Sequence, residues 1–447
     1  MPQSPALRHL RLTGHALAAI QSAHMAHIDS YYAATATPWD DCPPLEADVS
    51  FDVCVIGAGI AGCATALELS ERGFRVALLE AERVGWGASG RSGGQAIFGF
   101  GTGQDTLVGQ VGLDAARRMW DVSIEALGWV RDRVRRHAID CDLHWGQMHV
   151  AIKARQRDDL LELQRELAQT YGYRSLRFLE RPGVEELLAT RRYCAGLYDP
   201  GSGHLHPLNY TLGLARAARQ AGARIYESTP VLAIEHGEPA RIVTPRGTTK
   251  ARYVVLTRGG YVAGLRTETD WRIMPVGTYV VATEPLGEAR IGALLRQNVA
   301  VADVNFVLDY FRRSQDHRLL FGGRVSYSGI DARNTGRATR ARMLRVFPQL
   351  KDVRIDYVWG GYVDITMNRA PDFGRIGGNV YYLQGFSGHG IAMAGMAGRL
   401  AAEAVSGQAE RFDLFGRLRH HRFPGGPWLR TPALVLAMLW YRLLDMR

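Results

Sequence analysis

Gly57, Gly59 and Gly62, set in Val55-Ile56-Gly57-Ala58-Gly59-Ile60-Ala61-Gly62 and followed by Glu80 after Arg75-Val76-Ala77-Leu78-Leu79, have the types and spacing to hold a dinucleotide. Gly57 permits a tight turn, Gly59 lets the backbone approach a pyrophosphate at a helix N-terminus, and Gly62 allows close packing of helix on strand. Glu80 would accept hydrogen bonds from the adenosine ribose. A lone G-x-G-x-x-G is a weak signal. Here an apolar run before it, an Ala/Leu-rich helix after it and an acid closing the next apolar run supply the context that makes it specific. A second glycine set, Gly385, Gly388 and Gly390, follows the apolar run Val380–Gln384 and opens a small-residue helix ending near Val405. A helix start of that kind stabilises negative charge on a ligand. Ser387 is placed to cap that helix, and His389 reads either as a packed or capping residue or as one lining a reactive face. Between the two sets, the segment Val84–Gln95 holds too many glycines for a core strand or helix and suits a backbone laid against a flat ligand.

These residues require an α/β frame of the doubly wound, Rossmann-like type. The first unit is strand, helix, strand from Val49 onward. Helical spacing then runs over Leu113–Ala138 and Asp158–Tyr171, with strand-like alternation over Leu143–Ile152. The chain is expected to break around Asp199-Pro200-Gly201-Ser202-Gly203-His204-Leu205-His206-Pro207 and to resume as a helix over Tyr210–Ala221. Short strands are expected at Arg224–Tyr226 and Val231–Glu235. Tyr253–Leu256 is another strand, running into Gly259-Gly260, and Met274–Val325 reads as a series of strands. The expected division is an extension and linker at 1–48, a discontinuous nucleotide domain at 49–139, 200–265 and 360–408, a β-rich substrate domain at 140–199 and 266–359, and a tail at 409–447.

A chain of 447 residues, 47% of them hydrophobic, can bury a large core in two or three domains. The net charge of +10 is dispersed arginine, since Lys153, Lys250 and Lys351 are the only lysines, and no nucleic-acid motif accompanies it. No nucleic-acid partner is expected. Cys42, Cys54, Cys63, Cys141 and Cys194 are odd in number and at no metal-ligand spacing, which implies packed, reduced thiols, no metal and a cytoplasmic setting. Met1–His27 lacks the pattern of a secretory signal and is read as a loosely ordered extension, with a transit peptide or membrane-lying helix as the alternatives. The apolar stretch Ala433–Leu444 is too short to span a bilayer. It either packs on its own domain or makes a peripheral contact with the inner membrane.

Taken together, Ser30-Tyr31-Tyr32-Ala33-Ala34, the glycine motif, the loop Gly85-Trp86-Gly87-Ala88-Ser89-Gly90-Arg91, Arg369-Ala370-Pro371-Asp372 and Gly385-Phe386-Ser387-Gly388-His389-Gly390 resemble the FAD-dependent amine and amino-acid oxidases. That group includes D-amino-acid oxidase, glycine oxidase and sarcosine oxidase, and the likeness is greatest to the bacterial gamma-glutamylputrescine oxidases. The resemblance implies an FAD-binding domain paired with a β-rich domain, the amine lying against the flavin between them. By position, Gly57, Gly59, Gly62 and Glu80 would hold the ADP half and Val231 the adenine side. Ser89, Gly90, Gly94 and Gln95 would run past the isoalloxazine, and Gly388, His389 and Gly390 would meet its pyrimidine edge. Some sarcosine oxidases attach flavin to a late cysteine; none follows Cys194 here, so FAD should be non-covalent. Those enzymes also activate oxygen with a lysine, and no lysine of this chain falls in a matching segment. Arg324 or His389 would then supply the charge, or an acceptor other than oxygen would take the electrons.

The activity implied is oxidation of a small-molecule amine by hydride transfer to the flavin, imine hydrolysis to an aldehyde, and reduction of oxygen to hydrogen peroxide. Tyr310, Arg324, Trp359 and Arg369 are the candidates for the substrate side, with Arg324 and His389 the candidates for catalysis. The alternatives are an amino-acid dehydrogenase of the same fold that feeds a quinone and a flavoprotein that binds FAD without catalysis.

Overall fold

The computed structural model describes residues 26–261, 265, 267–326 and 332–424, apart from the side chains of 324–326 and 332–334. The expectations for residues 1–25 and for Ala433–Leu444 lie outside the described residues. No helix among the described residues is long and apolar enough to cross a membrane.

Two sheets organise the chain. In the first, Val49–Ile56 lies between Thr248–Leu256 and Val76–Leu79, all parallel, with Arg224–Tyr226 and Val380–Gln384 continuing the parallel order outward. Strands buried on both faces must be apolar throughout, and the burial of Val53 to Ile56 and Val76 to Leu79 has that pattern. Helix Ile60–Glu71 crosses over between the first two strands and is packed by Gly390–Val405 and Pro207–Gln220. Its small residues permit this: a Cβ on Gly398 would lie 2.7 Å from the Thr65 amide nitrogen. This is a doubly wound sheet assembled from separated segments of chain. Among the described residues the second sheet has nine strands, antiparallel except where Ala300–Asp303 pairs with His144–Ala151. It forms the β-rich part, backed by helix Ala332–Val346, whose Met343 and Val346 lie in a core with Phe311 and Phe321.

Several sequence expectations change. The segment around Asp199 is the continuous strand Ala195–His204 in the second sheet. Its glycines serve close pairing: a Cβ on Gly203 would lie 2.2 Å from the His144 carbonyl oxygen. Asp199 straightens the Pro-Gly step by accepting the Gly201 and Ser202 N–H groups and the Tyr173 hydroxyl. This strand runs across the boundary expected at 200, and Ile355–Thr366, also in the second sheet, runs across the one at 360. The strand series from Met274 is interrupted by helix Glu288–Leu294. The segment read as a linker is bonded to the first domain. Thr37, Cys42 and Leu45 donate their backbone N–H groups to Asn209, Glu227 and Thr229, and Tyr31 and Tyr32 are buried. At the other end, helix Glu410–Gly416 buries Phe412 and Phe415 and is therefore part of the fold.

Candidate active site

A cavity of about 980 Å³ lies where the two sheets meet, running from the first glycine turn to the second. At one end, Gly57 takes a left-handed φ of +103°, and a Cβ there would sit 2.9 Å from the Thr257 carbonyl oxygen. Only glycine makes that turn without strain. Gly62 does not line the cavity; a Cβ on it would lie 1.8 Å from the Gly57 carbonyl oxygen, so its role is to let the helix seat against the turn. Ser89 reaches back from the glycine-rich loop and accepts the Ile60 N–H at 3.0 Å, capping the same helix. Glu80 lines the cavity at the end of the second strand and accepts the N–H groups of Ala58 at 2.6 Å and Glu82 at 3.0 Å. Burial pushes its carboxyl up to about 7, and those donors pull it back.

Gly59, Ser89, Gly94, Gln95, Val231, Gly388, His389, Gly390, Tyr310 and Arg369 all line the same cavity as Gly57 and Glu80. Gly90 lies behind it, where a Cβ would meet the Gly85 carbonyl oxygen at 2.2 Å. Trp359 is also behind the wall: it donates its indole N–H to the Arg91 carbonyl at 3.0 Å and packs against Tyr32, so it braces the glycine-rich loop and does not line the substrate space. Arg324 falls in strand Leu319–Ser326, and its side chain lies outside the described residues. Tyr310 is the best fixed of the substrate-side candidates. Its ring is sandwiched where a Cβ on Gly322 would come within 2.1 Å and one on Gly93 within 2.5 Å, so both positions must stay glycine for the ring to reach the cavity wall.

The second glycine turn is clamped from the other sheet. Asp364, on the long strand Ile355–Thr366, accepts the Gly385 N–H at 2.6 Å through its carboxylate and the Ser387 N–H at 3.1 Å through its carbonyl. Burial raises the Asp364 carboxyl to about 6. Ser387 does not cap the helix: its hydroxyl donates to the Gly385 carbonyl at 3.2 Å, because the residue is itself in the left-handed turn at φ +50°. His389 is the residue before helix Gly390–Val405 and makes no side-chain cap. It faces the cavity beside His149, and burial, reinforced by His149 and Arg369, lowers its pKa to about 3. Burial likewise lowers His149 to about 4. Both imidazoles are neutral at physiological pH.

Sequence reasoning missed His149, Asp364, Thr257 and Tyr261, all of which line the cavity. His149 stood in a strand recognised by alternation, but only the pairing of His149 with Leu197 and Ala302 aims that strand at the cavity. At the rim, Arg91 lies 4.0 Å over the Trp86 ring and 5.4 Å from the Tyr261 ring, and Tyr362 donates its N–H to the Tyr261 hydroxyl at 2.8 Å.

The shape fits FAD. The glycine turn, helix start and terminal acid make a cradle for the ADP half, and the loop Gly93–Gln95 gives a flat backbone wall beyond it. No cysteine lines the cavity; Cys42, Cys54, Cys63 and Cys141 are buried elsewhere. Acid precipitation of the purified yellow protein is therefore expected to leave all flavin in the supernatant as FAD. Flavin retained on the pellet would contradict this.

The chain matches the family described as FAD dependent oxidoreductase over residues 52–404. It is 41% identical over 420 residues, 94% of this chain and 98% of the other, to gamma-glutamylputrescine oxidoreductase of Escherichia coli strain K12. Among solved structures it resembles glycine oxidase from Geobacillus kaustophilus (TM-score 0.69, 22% identity, covering 83% of this chain and 99% of that one). It also resembles L-proline dehydrogenase from P. horikoshii (TM-score 0.68, 21% identity, covering 84% and 100%). The chain belongs to the FAD-dependent oxidoreductase family, its cofactor is FAD, and it is an enzyme acting on CH–NH donors.

Proposed function

We propose that this FAD-dependent oxidoreductase oxidises an amine of gamma-glutamylputrescine type at the carbon next to nitrogen. The observation that carries the reading is one cavity that joins the nucleotide cradle to a wall from the β-rich sheet, where Tyr310, Phe306 and Arg369 face the second glycine turn. Kinship with gamma-glutamylputrescine oxidoreductase supports the choice of amine. Bound FAD supplies the hydride acceptor, and hydrolysis of the resulting imine gives an aldehyde.

The protein's contribution is placement. The turn at Gly57–Gly59 would hold the ADP half, with Glu80 toward the ribose and Val231 toward the adenine. Ser89, Gly94 and Gln95 would run past the isoalloxazine, and Gly388–Gly390 would bring a helix N-terminus to its pyrimidine edge, where negative charge accumulates on reduction. Gly62 and Gly90 support this wall from behind. The neutral imidazoles of His149 and His389 present no competing cation to an incoming amine. Tyr310, Phe306 and Arg369 orient the substrate, so that most of the barrier reduction comes from proximity and exclusion of water.

Anaerobic mixing with amines should bleach the flavin, and readmitting oxygen should restore its colour with stoichiometric hydrogen peroxide. Recovery only with a quinone or dye would make the enzyme a dehydrogenase. Bleaching by amino acids in place of amines would change the substrate class, and no bleaching by either would leave an FAD-binding protein without catalysis.

A further inference from the structure

Arg312 is fully buried, 1% exposed, in strand Tyr310–Arg313, and among the described residues its guanidinium bonds to no carboxylate. Its Nε donates to the Gly93 carbonyl at 3.0 Å, one terminal nitrogen to the Arg313 carbonyl at 3.1 Å, and the other to the Leu205 carbonyl at 2.9 Å and the Tyr32 hydroxyl at 3.1 Å. The acids in the neighbourhood are engaged elsewhere: Asp142 with His144 at 2.9 Å, and Asp316 with Ser314 at 2.6 Å and Arg318 at 2.7 Å. His206 supplies no anion either, because burial and Arg312 itself keep it neutral, with a pKa lowered to about 3, and the Tyr32 ring, 5.7 Å from the guanidinium carbon, offers only its π face, a partial offset to a full charge. A cation taken out of water without an anion is a costly feature, and arginine cannot lose its proton to relieve it.

The location gives that cost a use. Gly93 and Gly94 line the cavity, and a Cβ on Gly94 would lie 3.2 Å from the guanidinium nitrogen. One layer of glycine backbone, without side chains, separates a permanent positive charge from the cavity. In so dry a setting the field is screened far less than at a surface. Lys153, Lys250 and Lys351 do not line this cavity; of the arginines that do, Arg258 is paired with Asp270 at 2.9 Å and Arg369 stands on the substrate side.

We propose that Arg312 is a positioning and electrostatic residue for the bound flavin: it fixes the Gly93–Gly94 wall and supplies, through it, the positive charge that favours the anionic reduced ring. The proposal rests on the reading that this loop runs past the isoalloxazine. It predicts that the negative charge in the cavity is stabilised from two sides, by helix Gly390–Val405 and by this guanidinium.

The test uses holoenzyme of the wild type, Arg312→Lys, Arg312→Met and Arg312→Gln. The readouts are FAD content, the two-electron midpoint potential and the affinity for sulfite, which adds to oxidised flavin and leaves negative charge on the ring. Both neutral variants should shift the reduction equilibrium about tenfold toward oxidised flavin, about 30 mV for two electrons. Sulfite affinity should fall in parallel, and Arg312→Lys should rescue most of both effects. Neutral variants that keep FAD with wild-type potential and sulfite affinity would overturn the proposal while leaving the FAD reading intact. Failure of both neutral variants to fold would also overturn it, since the charge would then be retained for the fold alone. A wild-type protein that neither purifies with FAD nor binds added FAD would remove the reading itself.

Discussion

Gly59→Val is expected to give a folded protein that has lost its FAD, whereas Gly62→Ala is expected to damage the fold from which the site is built. The two glycines are three residues apart in one motif, and their surroundings differ. Gly59 sits at φ −80° and ψ −173°, an extended conformation open to any residue, and a Cβ there meets only the Ser89 hydroxyl at 2.7 Å before entering the cavity. The serine can turn away by giving up its bond to the Ile60 N–H, which costs the apoprotein about 1 kcal/mol. The branched side chain then stands where a pyrophosphate must approach the helix start. At Gly62 a Cβ would lie 1.8 Å from the Gly57 carbonyl oxygen and 2.8 Å from the Thr257 hydroxyl. The nearer of these is backbone of the central turn, so the helix must move off the sheet, at the upper end of the roughly 1–3 kcal/mol typical of overpacking. The flavin-to-protein ratio and the thermal unfolding of the apoproteins separate the cases. The first variant should show no flavin with an unfolding temperature lowered by only about 1 °C; the second should show flavin loss with an unfolding temperature several degrees lower. A Gly59→Val protein that purified with full flavin would mean that this turn does not hold the phosphates.

The contrast also marks how far a single sequence reaches. The strand, turn, helix and acid around Gly57 are contiguous, so spacing alone placed them, and the turn at Gly385 was readable for the same reason. Arg312, His149 and Asp364 could not be found that way. Arg312 matters because Gly93, Leu205 and Tyr32, far apart in the chain, converge on its guanidinium. Asp364 matters because its strand crosses to the Gly385 turn. Trp359 shows the opposite error: an aromatic in a substrate-domain strand looked like a cavity residue, yet its indole N–H is spent on Arg91 behind the wall. The misread break at Asp199 has a similar cause, since proline and glycine usually punctuate turns, and the facing strands His144–Ala151 and Gln95–Ala96 turn that segment into sheet.

Arg369→Met should separate gamma-glutamylputrescine from putrescine. Arg369 lines the cavity, with its guanidinium 5.3 Å over the Phe306 ring and its backbone held in the left-handed region at φ +59°. A guanidinium so placed suits the carboxylate of a glutamyl end, which putrescine lacks. A hydrogen bond to a charged group is worth about 1.5–3 kcal/mol, so losing it should raise the KM for gamma-glutamylputrescine by roughly ten- to a hundredfold and leave putrescine nearly unchanged. In the wild type, stopped-flow flavin reduction should be faster with gamma-glutamylputrescine at equal subsaturating concentration. The pH profile gives a second handle. His389 and His149, lowered to about 3 and about 4, stay neutral above pH 7, and Asp364, raised to about 6, is then mostly ionised. Glu80 and Asp303, both in the cavity wall and raised to about 7, are ionised by about pH 8.5; from there to about pH 10 the group left to titrate in the reaction is the substrate ammonium, whose alkylamine pKa is near 10.4, so the reduction rate should climb with pH by up to about tenfold per unit. Protonated amine has no lone pair to support hydride loss from the adjacent carbon, which fixes the sign. Equal rates for the two amines, or an equal loss for both in Arg369→Met, would remove the glutamyl assignment. A rate flat across that pH range would show that the enzyme itself takes the ammonium proton.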